Sequence, residues 1–431
     1  MKYYSTNRKS PVVSFREAVL NGQPPDKGLY FPERIPHTHP DVVKNIRSYS
    51  KEALAFEILM PYTGEVIPRK EMETIIGEAI NFEFPLVQVT DRIFSLELFH
   101  GPTLAFKDVG ARFLSRCLGY FNRGSNQKTI VLVATSGDTG GAVANAFAEV
   151  EGVHVVILYP AGKVSEVQEL QLVTCGDRVS ALQVSGDFDV CQRMVKMAFA
   201  DEEINKRLRL TSANSINIAR WLPQQYYYAD ALRQWQQDAL PVFSVPCGNL
   251  GNISAGLLAM KSMNLPVHFI AACNQNNAVH NYIKNGAFLP SDTIPTISNA
   301  MDVGAPSNFP RILELFEHGI DEIRSVLSSD TISDEQTKDQ IEKTYTRYQY
   351  ITDPHGAVAM KALEQYHTAH MQSIGIFLET AHALKFPDVV EPLIQRSIPN
   401  PNGIEELKKK ERKIIKMGTA YTELQAFLQK M

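Results

Sequence analysis

Cysteine, long apolar runs and an excess of basic charge are scarce or missing in this sequence, and each absence excludes a class of protein. Only 5 of the 431 residues are cysteine. Their number is odd and no C-x-x-C occurs, which argues against a disulfide framework or a cysteine-based zinc site. No run approaches the roughly 18 apolar residues that a membrane span requires. The formal net charge is −4, whereas a general nucleic-acid-binding protein usually carries a basic excess.

Glycine and proline, at 25 and 24 residues, are too few for a collagen-like or a Pro/Gly-driven disordered chain. The N-terminal stretch MKYYSTNRKSP lacks the apolar core of a signal peptide. The basic run LKKKERK at 407–413 adjoins acidic residues and is interpreted as a solvated helix face. Together these features predict a cytoplasmic globular protein with reduced cysteines, no metal site, and no nucleic-acid or membrane partner.

The chain divides into two regions of different pattern. Residues 1–90 open with many prolines and continue with helical patterns at 50–59 and 69–80, which predicts a small, largely helical N-terminal domain. In residues 91–431, short β-branched apolar runs alternate with amphipathic stretches, which indicates parallel sheets covered by helices on both faces. The predicted strands are 93–99, 129–134, 153–159, 179–184, 242–245, 267–272 and 374–378. The predicted helices are 108–121, 141–149, 165–173, 190–199, 218–236, 253–263, 277–285 and the polar stretch 320–347.

A glycine-rich turn follows the predicted strand 129–134. Its residues are Thr135, Ser136, Gly137, Asp138 and Thr139, and two further glycines and an alanine-rich helix come next. Small residues let the backbone approach a ligand closely, while hydroxyls and free N–H groups at a helix N-terminus suit a carboxylate or a phosphate. An ordinary strand-to-helix turn with an N-cap is the alternative interpretation.

A second turn of this kind follows the predicted strand 242–245. It reads Gly248-Asn249-Leu250-Gly251-Asn252, which is neither G-x-G-x-x-G nor a Walker A loop. The backbone N–H groups of such a loop can cradle one phosphate. Here too an ordinary turn is the alternative.

Lys107 lies where a helix is predicted to begin, directly after the apolar stretch 104–106. A lysine in apolar surroundings has a depressed pKa and can be a free amine near pH 7. A free amine can form a Schiff base with a carbonyl group. The alternative is a lysine that pairs with Asp108 or extends its ammonium group to water.

Seven sequence blocks occur in the same order as in one enzyme family. They are 26–32, 100–108, 134–143, 214–220, 248–252, 301–309 and 380–386. On these blocks the chain resembles the threonine synthases, pyridoxal-phosphate enzymes of the tryptophan-synthase-β-like group (fold type II), in the branch with an extra N-terminal domain. The resemblance implies an α/β fold. A threonine-synthase-type domain would occupy residues 1–90, and two open parallel-sheet subdomains with the active site between them would occupy residues 91–431.

The resemblance also implies a role for each candidate residue. Lys107 is the implied Schiff-base lysine and the general base and acid. Thr380 is the implied partner of the pyridine nitrogen, and Arg220 the implied partner of the substrate phosphate. The implied cofactor ligands are Lys107, Asp138, Gly248, Asn249, Leu250, Gly251, Asn252 and Thr380. The implied substrate ligands are Thr135, Ser136, Gly137, Thr139, Asn214, Ser215, Asn217 and Arg220.

The reaction implied by the resemblance converts O-phospho-L-homoserine and water to L-threonine and phosphate, the last step of threonine biosynthesis. It is a carbon–oxygen lyase reaction with pyridoxal phosphate as cofactor. The chain departs from the family at Leu250, where Phe is usual, and at Ala383 and Leu384, which replace a Pro-Ala pair. These changes bear on substrate tuning more than on the cofactor. The sequence leaves open whether the protein is a monomer or a homodimer.

Several other activities stay open at this point. A dehydratase, a sulfhydrylase or a phospho-lyase that releases a 2-oxo acid would share the lysine and the glycine loop. A catalytically silent homologue would be expected to lack the lysine, and a nicotinamide dehydrogenase would need G-x-G-x-x-G. The stretch 137–141 resembles the motif around the nucleophile of secreted serine proteases, but Thr139 replaces the serine and an α/β pattern surrounds it.

Overall fold

The computed structural model describes residues 1–124, 129–401 and 403–431. Within these ranges the strands form three sheets. The strands are β1 (Lys2–Ser5), β2 (Val13–Ser14), β3 (Tyr30–Pro32), β4 (Leu86–Gln88), β5 (Ile93–Glu97), β6 (Thr129–Ala134), β7 (Val153–Pro160), β8 (Val179–Val184), β9 (Arg209–Thr211), β10 (Val242–Pro246), β11 (Phe269–Cys273), β12 (Leu327–Thr331), β13 (Gly375–Glu379) and β14 (Ile414–Met417).

Helices cover the sheets and fill the N-terminal part. They are α1 (Phe15–Asn21), α2 (Pro40–Lys44), α3 (Lys51–Thr63), α4 (Arg69–Ala79), α5 (Lys107–Asn122), α6 (Asp138–Phe147), α7 (Glu166–Val173), α8 (Phe188–Ala200), α9 (Glu202–Arg207), α10 (Ile218–Trp221), α11 (Gln225–Gln234), α12 (Gly251–Met263), α13 (Ala278–Asn285), α14 (Phe309–Leu315), α15 (Ile320–Val326), α16 (Asp334–Tyr348), α17 (Pro354–Ala369), α18 (Pro387–Ile394), α19 (Ile404–Lys409) and α20 (Tyr421–Gln429). Of the helices described, none is long and apolar enough to cross a bilayer.

The N-terminal part combines helices with a small antiparallel sheet in the order β2-β1-β3. Tyr3 of β1 lies opposite Val13 and Pro32, and its buried ring lies 5.9 Å from that of Phe15 at the start of α1. The predicted helices at 50–59 and 69–80 correspond to α3 and α4. The sheet was not predicted, because strands of two to four residues give no alternating pattern long enough to recognise.

Two larger sheets form the rest of the molecule. The six-stranded sheet has the order β12-β11-β10-β13-β5-β4 and is parallel except for β4. The five-stranded sheet has the order β14-β8-β7-β6-β9 and is parallel throughout. Every residue of β6 and β11 is buried, as expected for strands covered by helices on both faces. The predicted α/β architecture is therefore confirmed.

The sequence predictions fail at the sheet edges and at one proline. The predicted helix over 320–347 is wrong in its middle, where β12 separates α15 from α16 and pairs in parallel with β11. The predicted helix 218–236 is divided between α10 and α11 by a 3-10 turn, Leu222–Gln224. Pro223 in that turn lacks the N–H that a continuous α-helix requires.

Gly256 of α12 gives a test of the packing between this helix and the six-stranded sheet. A Cβ atom at Gly256 would lie 2.5 Å from the ring of Tyr228 and 2.7 Å from that of Phe269. Gly256→Ala should therefore lower the free energy of unfolding by about 1–3 kcal/mol, measured by urea unfolding. Gly77→Ala in α4 is the matched control, because no atom lies within 4 Å of the added methyl group. It should raise the same free energy by about 0.5–1 kcal/mol, and equal effects of the two substitutions would contradict the packing.

Candidate active site

Lys107 is the first residue of α5, and the chain just before it is held by the segment that follows β13. Ala105 forms an antiparallel bridge with Ala381, and the Phe106 N–H donates to the Thr380 carbonyl at 2.9 Å. These two segments follow β5 and β13, which are neighbours in the six-stranded sheet. The pairing therefore brings Lys107 and Thr380 together at the carboxyl-terminal ends of these two strands.

A buried carboxylate from the other sheet lies between two lysines. Asp138 begins α6, which follows β6 of the five-stranded sheet. Its Oδ1 accepts hydrogen bonds from Lys385 Nζ at 2.8 Å and from Gln168 Nε2 at 2.9 Å, and its Oδ2 lies 3.5 Å from Lys107 Nζ. Burial opposes ionisation of Asp138, but the charges of Lys385 and Lys107 outweigh it and hold the pKa of the carboxyl well below its usual range. Lys385 was not identified from the sequence.

The environment of Lys107 lowers the pKa of its side chain. The side chain is 17% exposed, and burial lowers its pKa below the ordinary value for lysine. The attraction of Asp138 opposes this shift, while the positive charges of Lys385 and Arg220 add to it. The direction agrees with the sequence-based prediction, and the neutral amine is the form that attacks a carbonyl carbon.

The turn 135–139 is shaped by one hydroxyl group. Thr135 Oγ1 accepts hydrogen bonds from the N–H groups of Gly137 at 3.0 Å and Gly140 at 2.9 Å. Gly137 has a φ of 138°, and a Cβ atom there would lie 2.5 Å from a glutamine side chain of α7, so only glycine fits. Ser136 and Thr139 are half-buried, and their hydroxyls form no hydrogen bond with the described residues. These two hydroxyls are available to a ligand.

The turn 248–252 leads into α12 and leaves several donors free. Leu250 has a φ of 59°, Gly251 starts the helix, and the Ser254 N–H donates to the Leu250 carbonyl at 3.1 Å. The helical N–H groups ahead of Ser254 have no intrahelical acceptor, which suits an anion. Asn252 Oδ1 accepts a hydrogen bond from the Tyr228 hydroxyl at 2.7 Å, whereas Asn252 Nδ2 is buried without a partner among the described residues.

Ser215 ties this turn to the segment 214–220. Its Oγ accepts hydrogen bonds from Asn249 Nδ2 at 2.7 Å and Asn308 Nδ2 at 3.1 Å. Arg311, which is fully buried, donates to the carbonyls of Ser215 at 3.1 Å and Ile216 at 2.7 Å. The roles of Asn308 and Arg311 were not predicted from the sequence, because their contacts with Ser215 join residues more than 90 positions apart in the chain.

The other polar residues of the segment 214–220 differ in how many hydrogen bonds their side chains form within the fold. Asn217 is fully buried, and it donates to the Val19 carbonyl at 3.1 Å and accepts from the Ala219 N–H at 3.0 Å. Arg220 donates to a backbone carbonyl at 2.7 Å, but its Nε is buried without a partner among the described residues. Burial lowers the pKa of Arg220 to about 10, so it stays charged at neutral pH. The side chain of Asn214 is half-buried and forms no hydrogen bond with the described residues.

Buried acids support the backbone around Thr380. Glu379 Oε1 accepts from the Asp353 N–H at 2.5 Å, and Asp353 Oδ2 accepts from the Ala381 N–H at 3.1 Å. Asp353 Oδ1 lies 2.6 Å from His355 Nδ1, which donates to it. Burial, and then the negative charge of Asp353, raise the pKa of Glu379 well above its ordinary value. The protonated form of Glu379 is thus favoured relative to that of an ordinary glutamate, and Asp353 and His355 position backbone.

The site thus combines an amine, a hydroxyl and an anion cradle, each in a segment that follows a strand of the six-stranded sheet. Lys107 supplies the amine, and the Thr380 hydroxyl forms no hydrogen bond with any described residue. The turn 248–252 supplies free N–H groups and the unpartnered amide of Asn252. This set fits pyridoxal phosphate, which presents an aldehyde, a ring nitrogen and a phosphate. Fold and site define a pyridoxal-phosphate-dependent enzyme of fold type II.

Comparison with known proteins identifies the family. The family model described as "Pyridoxal-phosphate dependent enzyme" matches residues 85–374. Models described as "Threonine synthase N terminus" and "Threonine synthase, C-terminal" match residues 2–80 and 356–428. The threonine synthase of Serratia marcescens is 41% identical over 407 residues, which cover 94% of this chain and 93% of that protein. The chain belongs to the threonine synthase family of pyridoxal-phosphate-dependent lyases.

Solved structures of the family agree with this assignment. The pyridoxal-phosphate-bound threonine synthase of Brucella melitensis has a TM-score of 0.92 at 33% identity, covering 100% of this chain and 99% of that one. The Escherichia coli threonine synthase has a TM-score of 0.91 at 38% identity, with 100% of both chains covered. The resemblance, the fold class and the cofactor inferred from the sequence blocks are confirmed. The roles of individual site residues and the domain boundary at residue 90 stay predictions.

The raised pKa of Glu379 predicts a pH-dependent difference in stability between the protein and Glu379→Gln. The pKa of Glu379 in the folded protein lies above the ordinary value of 4.5, so its stabilising contribution is complete below that pH and is lost as the pH rises toward the folded pKa. Glutamine cannot ionise. The free energy of unfolding of the variant relative to the wild type should therefore rise by up to about 1.4 kcal/mol per pH unit as the pH increases from 4.5 to the folded pKa, and stay constant above it.

Urea unfolding across this pH range measures the difference for Glu379→Gln. Glu342→Gln, at an exposed position of α16, is the control and should differ from the wild type by a constant amount. A difference for Glu379→Gln that does not vary with pH would contradict a raised pKa of this carboxyl.

Proposed function

We propose that the protein is a threonine synthase that converts O-phospho-L-homoserine and water to L-threonine and inorganic phosphate. The observation that carries this proposal is a reactive amine beside two linked anion-binding segments. The turn 248–252 suits the cofactor phosphate, and the segment 214–220, which Ser215 ties to it, suits a second phosphate on the substrate. A dehydratase whose substrate has no phosphate would not need the second segment.

The proposed cofactor site is built from both sheets. Pyridoxal phosphate, when bound, supplies the electron sink for negative charge that develops on substrate carbons. We assign to Lys107 the bond to the cofactor and the proton transfers at Cα, Cβ and Cγ of the substrate, since one long side chain can reach several carbons. The other residues proposed to hold the cofactor are Asp138, Gly248, Asn249, Leu250, Gly251, Asn252 and Thr380.

The proposed substrate site uses the side chains that the fold leaves free. Arg220 and Asn214 retain free donors for the substrate phosphate, at a buried Nε and a half-buried amide. Ser136 and Thr139, with the N–H groups at the start of α6, face the substrate carboxylate in this proposal. The residues already engaged within their loops have the proposed role of shaping the site, and they are Thr135, Gly137, Ser215 and Asn217.

We place the reaction in the cytoplasm. All five cysteines are free thiols, and four of them are buried. Unpaired cysteines are typical of proteins in a reducing compartment, which supports this location.

Absorption spectroscopy combined with product analysis tests the proposed function. The purified protein with bound cofactor should show a visible absorption band that shifts when O-phospho-L-homoserine is added. Threonine and phosphate should then form in equal amounts. Phosphate together with a 2-oxo acid in place of threonine would identify a phospho-lyase. Absence of the band after reconstitution with pyridoxal phosphate would exclude the proposal.

Lys107→Ala should abolish turnover, because the substitution removes the amine that both bonds the cofactor and transfers the protons. The expected decrease in kcat is at least about 100-fold, the lower end of what a positioned base contributes. Steady-state assays of threonine release measure it. Lys163→Ala, at an exposed position before α7, is the matched control and should keep wild-type activity. A Lys107→Ala enzyme with near-normal kcat would contradict the assignment.

A further inference from the structure

Two lysines contact the carboxylate of Asp138, but at different distances. Lys385 is completely buried, and its Nζ lies 2.8 Å from Asp138 Oδ1. Lys107 Nζ lies 3.5 Å from Asp138 Oδ2, which is beyond the usual range of about 2.7–3.2 Å for an N–H···O hydrogen bond. The closer ion pair therefore belongs to Lys385.

The fold places both lysines beyond the carboxyl-terminal ends of β5 and β13 in the six-stranded sheet. The segments that precede them are joined by the bridge between Ala105 and Ala381. The 3-10 turn Ala383–Lys385 is capped by His382, whose Nδ1 accepts from the Leu384 N–H at 3.1 Å. Both amino groups thus reach toward the five-stranded sheet, where the carboxylate lies at the start of α6.

The charged groups that face Lys107 come from three elements. They are Asp138 on α6, Lys385 on the 3-10 turn and Arg220 on α10. Asp108, the next residue of α5, instead accepts hydrogen bonds from the N–H and the hydroxyl of a threonine at 2.9 and 2.5 Å. A charged Lys107 would face two other cations and one carboxylate that Lys385 already pairs with, so its ammonium form is disfavoured once Lys385 is in place.

We propose that Lys385 is a positioning residue whose ammonium group saturates Asp138 and thereby keeps Lys107 as a neutral amine, ready to bond to the cofactor. The inference rests on the proposed function, because it takes Lys107 as the residue that carries pyridoxal phosphate. Without Lys385, the carboxylate of Asp138 has no cation other than Lys107 within ion-pair distance in the described residues. Gln168 cannot replace the charge, since its amide is a neutral donor.

Competitive acetylation of the full-length chain, stripped of pyridoxal phosphate, measures the charge state of Lys107. Acetic anhydride reacts with neutral amines only, and peptide mass spectrometry gives the labelling rate of Lys107 at each pH. The exposed Lys70 serves as internal reference for the reagent. The pH midpoint of the profile reports protonation and does not depend on how accessible the amine is.

Lys385→Met should raise the midpoint for Lys107 by about one pH unit or more, so that labelling at a fixed pH below both midpoints falls about tenfold. Lys385→Arg retains the charge and should keep the wild-type midpoint. Lys385→Gln is a second neutral variant in case the methionine protein does not fold, which near-UV circular dichroism reveals. An unchanged midpoint in a folded neutral variant would overturn the inference.

Asp138→Asn tests whether Lys385 acts through this carboxylate. Lys385→Met should raise the midpoint for Lys107 less than about half as much in the Asp138→Asn protein as in the wild type. The reason is that the Asp138→Asn protein has no carboxylate that could pair with Lys107 after Lys385 is removed. An equal rise in both backgrounds would overturn the inference, since Lys385 would then act on Lys107 without Asp138.

Failure of this inference and failure of the proposed function give different results. The labelling profile requires no turnover. A protein that forms no threonine but shows the expected shifts supports the role of Lys385 and contradicts the proposed reaction. A protein that forms threonine but shows no shift in Lys385→Met retains the proposed reaction and loses the inference.

Discussion

The contact between the Asp138 carboxylate and two lysines is the interaction on which the rest of the site depends. A buried carboxylate is costly unless it is paired and hydrogen-bonded, and here Lys385, Lys107 and Gln168 surround it. Asp138 follows a strand of one sheet, whereas both lysines follow strands of the other. The ion pairs therefore connect segments that follow strands of the two larger sheets.

The remaining parts of the site are held by backbone pairing and by loops tied to each other. Thr380 is fixed from one side by the segment before Lys107 and from the other by the buried acids Asp353 and Glu379. Ser215 connects the segment 214–220 to the turn 248–252, because its hydroxyl accepts a hydrogen bond from Asn249. Several of the side-chain donors that we propose to contact ligands have no partner among the described residues.

The sequence predicted the inner strands well, because their continuous apolar runs show their burial directly. It missed β4, β9, β12 and β14, which lie at the four edges of the two larger sheets and are only partly buried. Apolar neighbours in the sequence indicate a lysine in apolar surroundings at Lys107, and apolar residues also flank Lys385, for which no role was predicted. The pairing of Lys385 with Asp138 joins residues 247 positions apart, which no local pattern could indicate.

The most direct measurement locates the cofactor on the chain. Reduction of the holoenzyme with borohydride makes the bond between pyridoxal phosphate and its lysine permanent, and peptide mass spectrometry then identifies the modified residue. Lys107 and Lys385 lie beside the same carboxylate, so the modified peptide shows which of the two carries the cofactor. The structure predicts modification of Lys107 alone. Modification of Lys385 would contradict the assignment of the reactive amine and, with it, the division of roles between the two lysines.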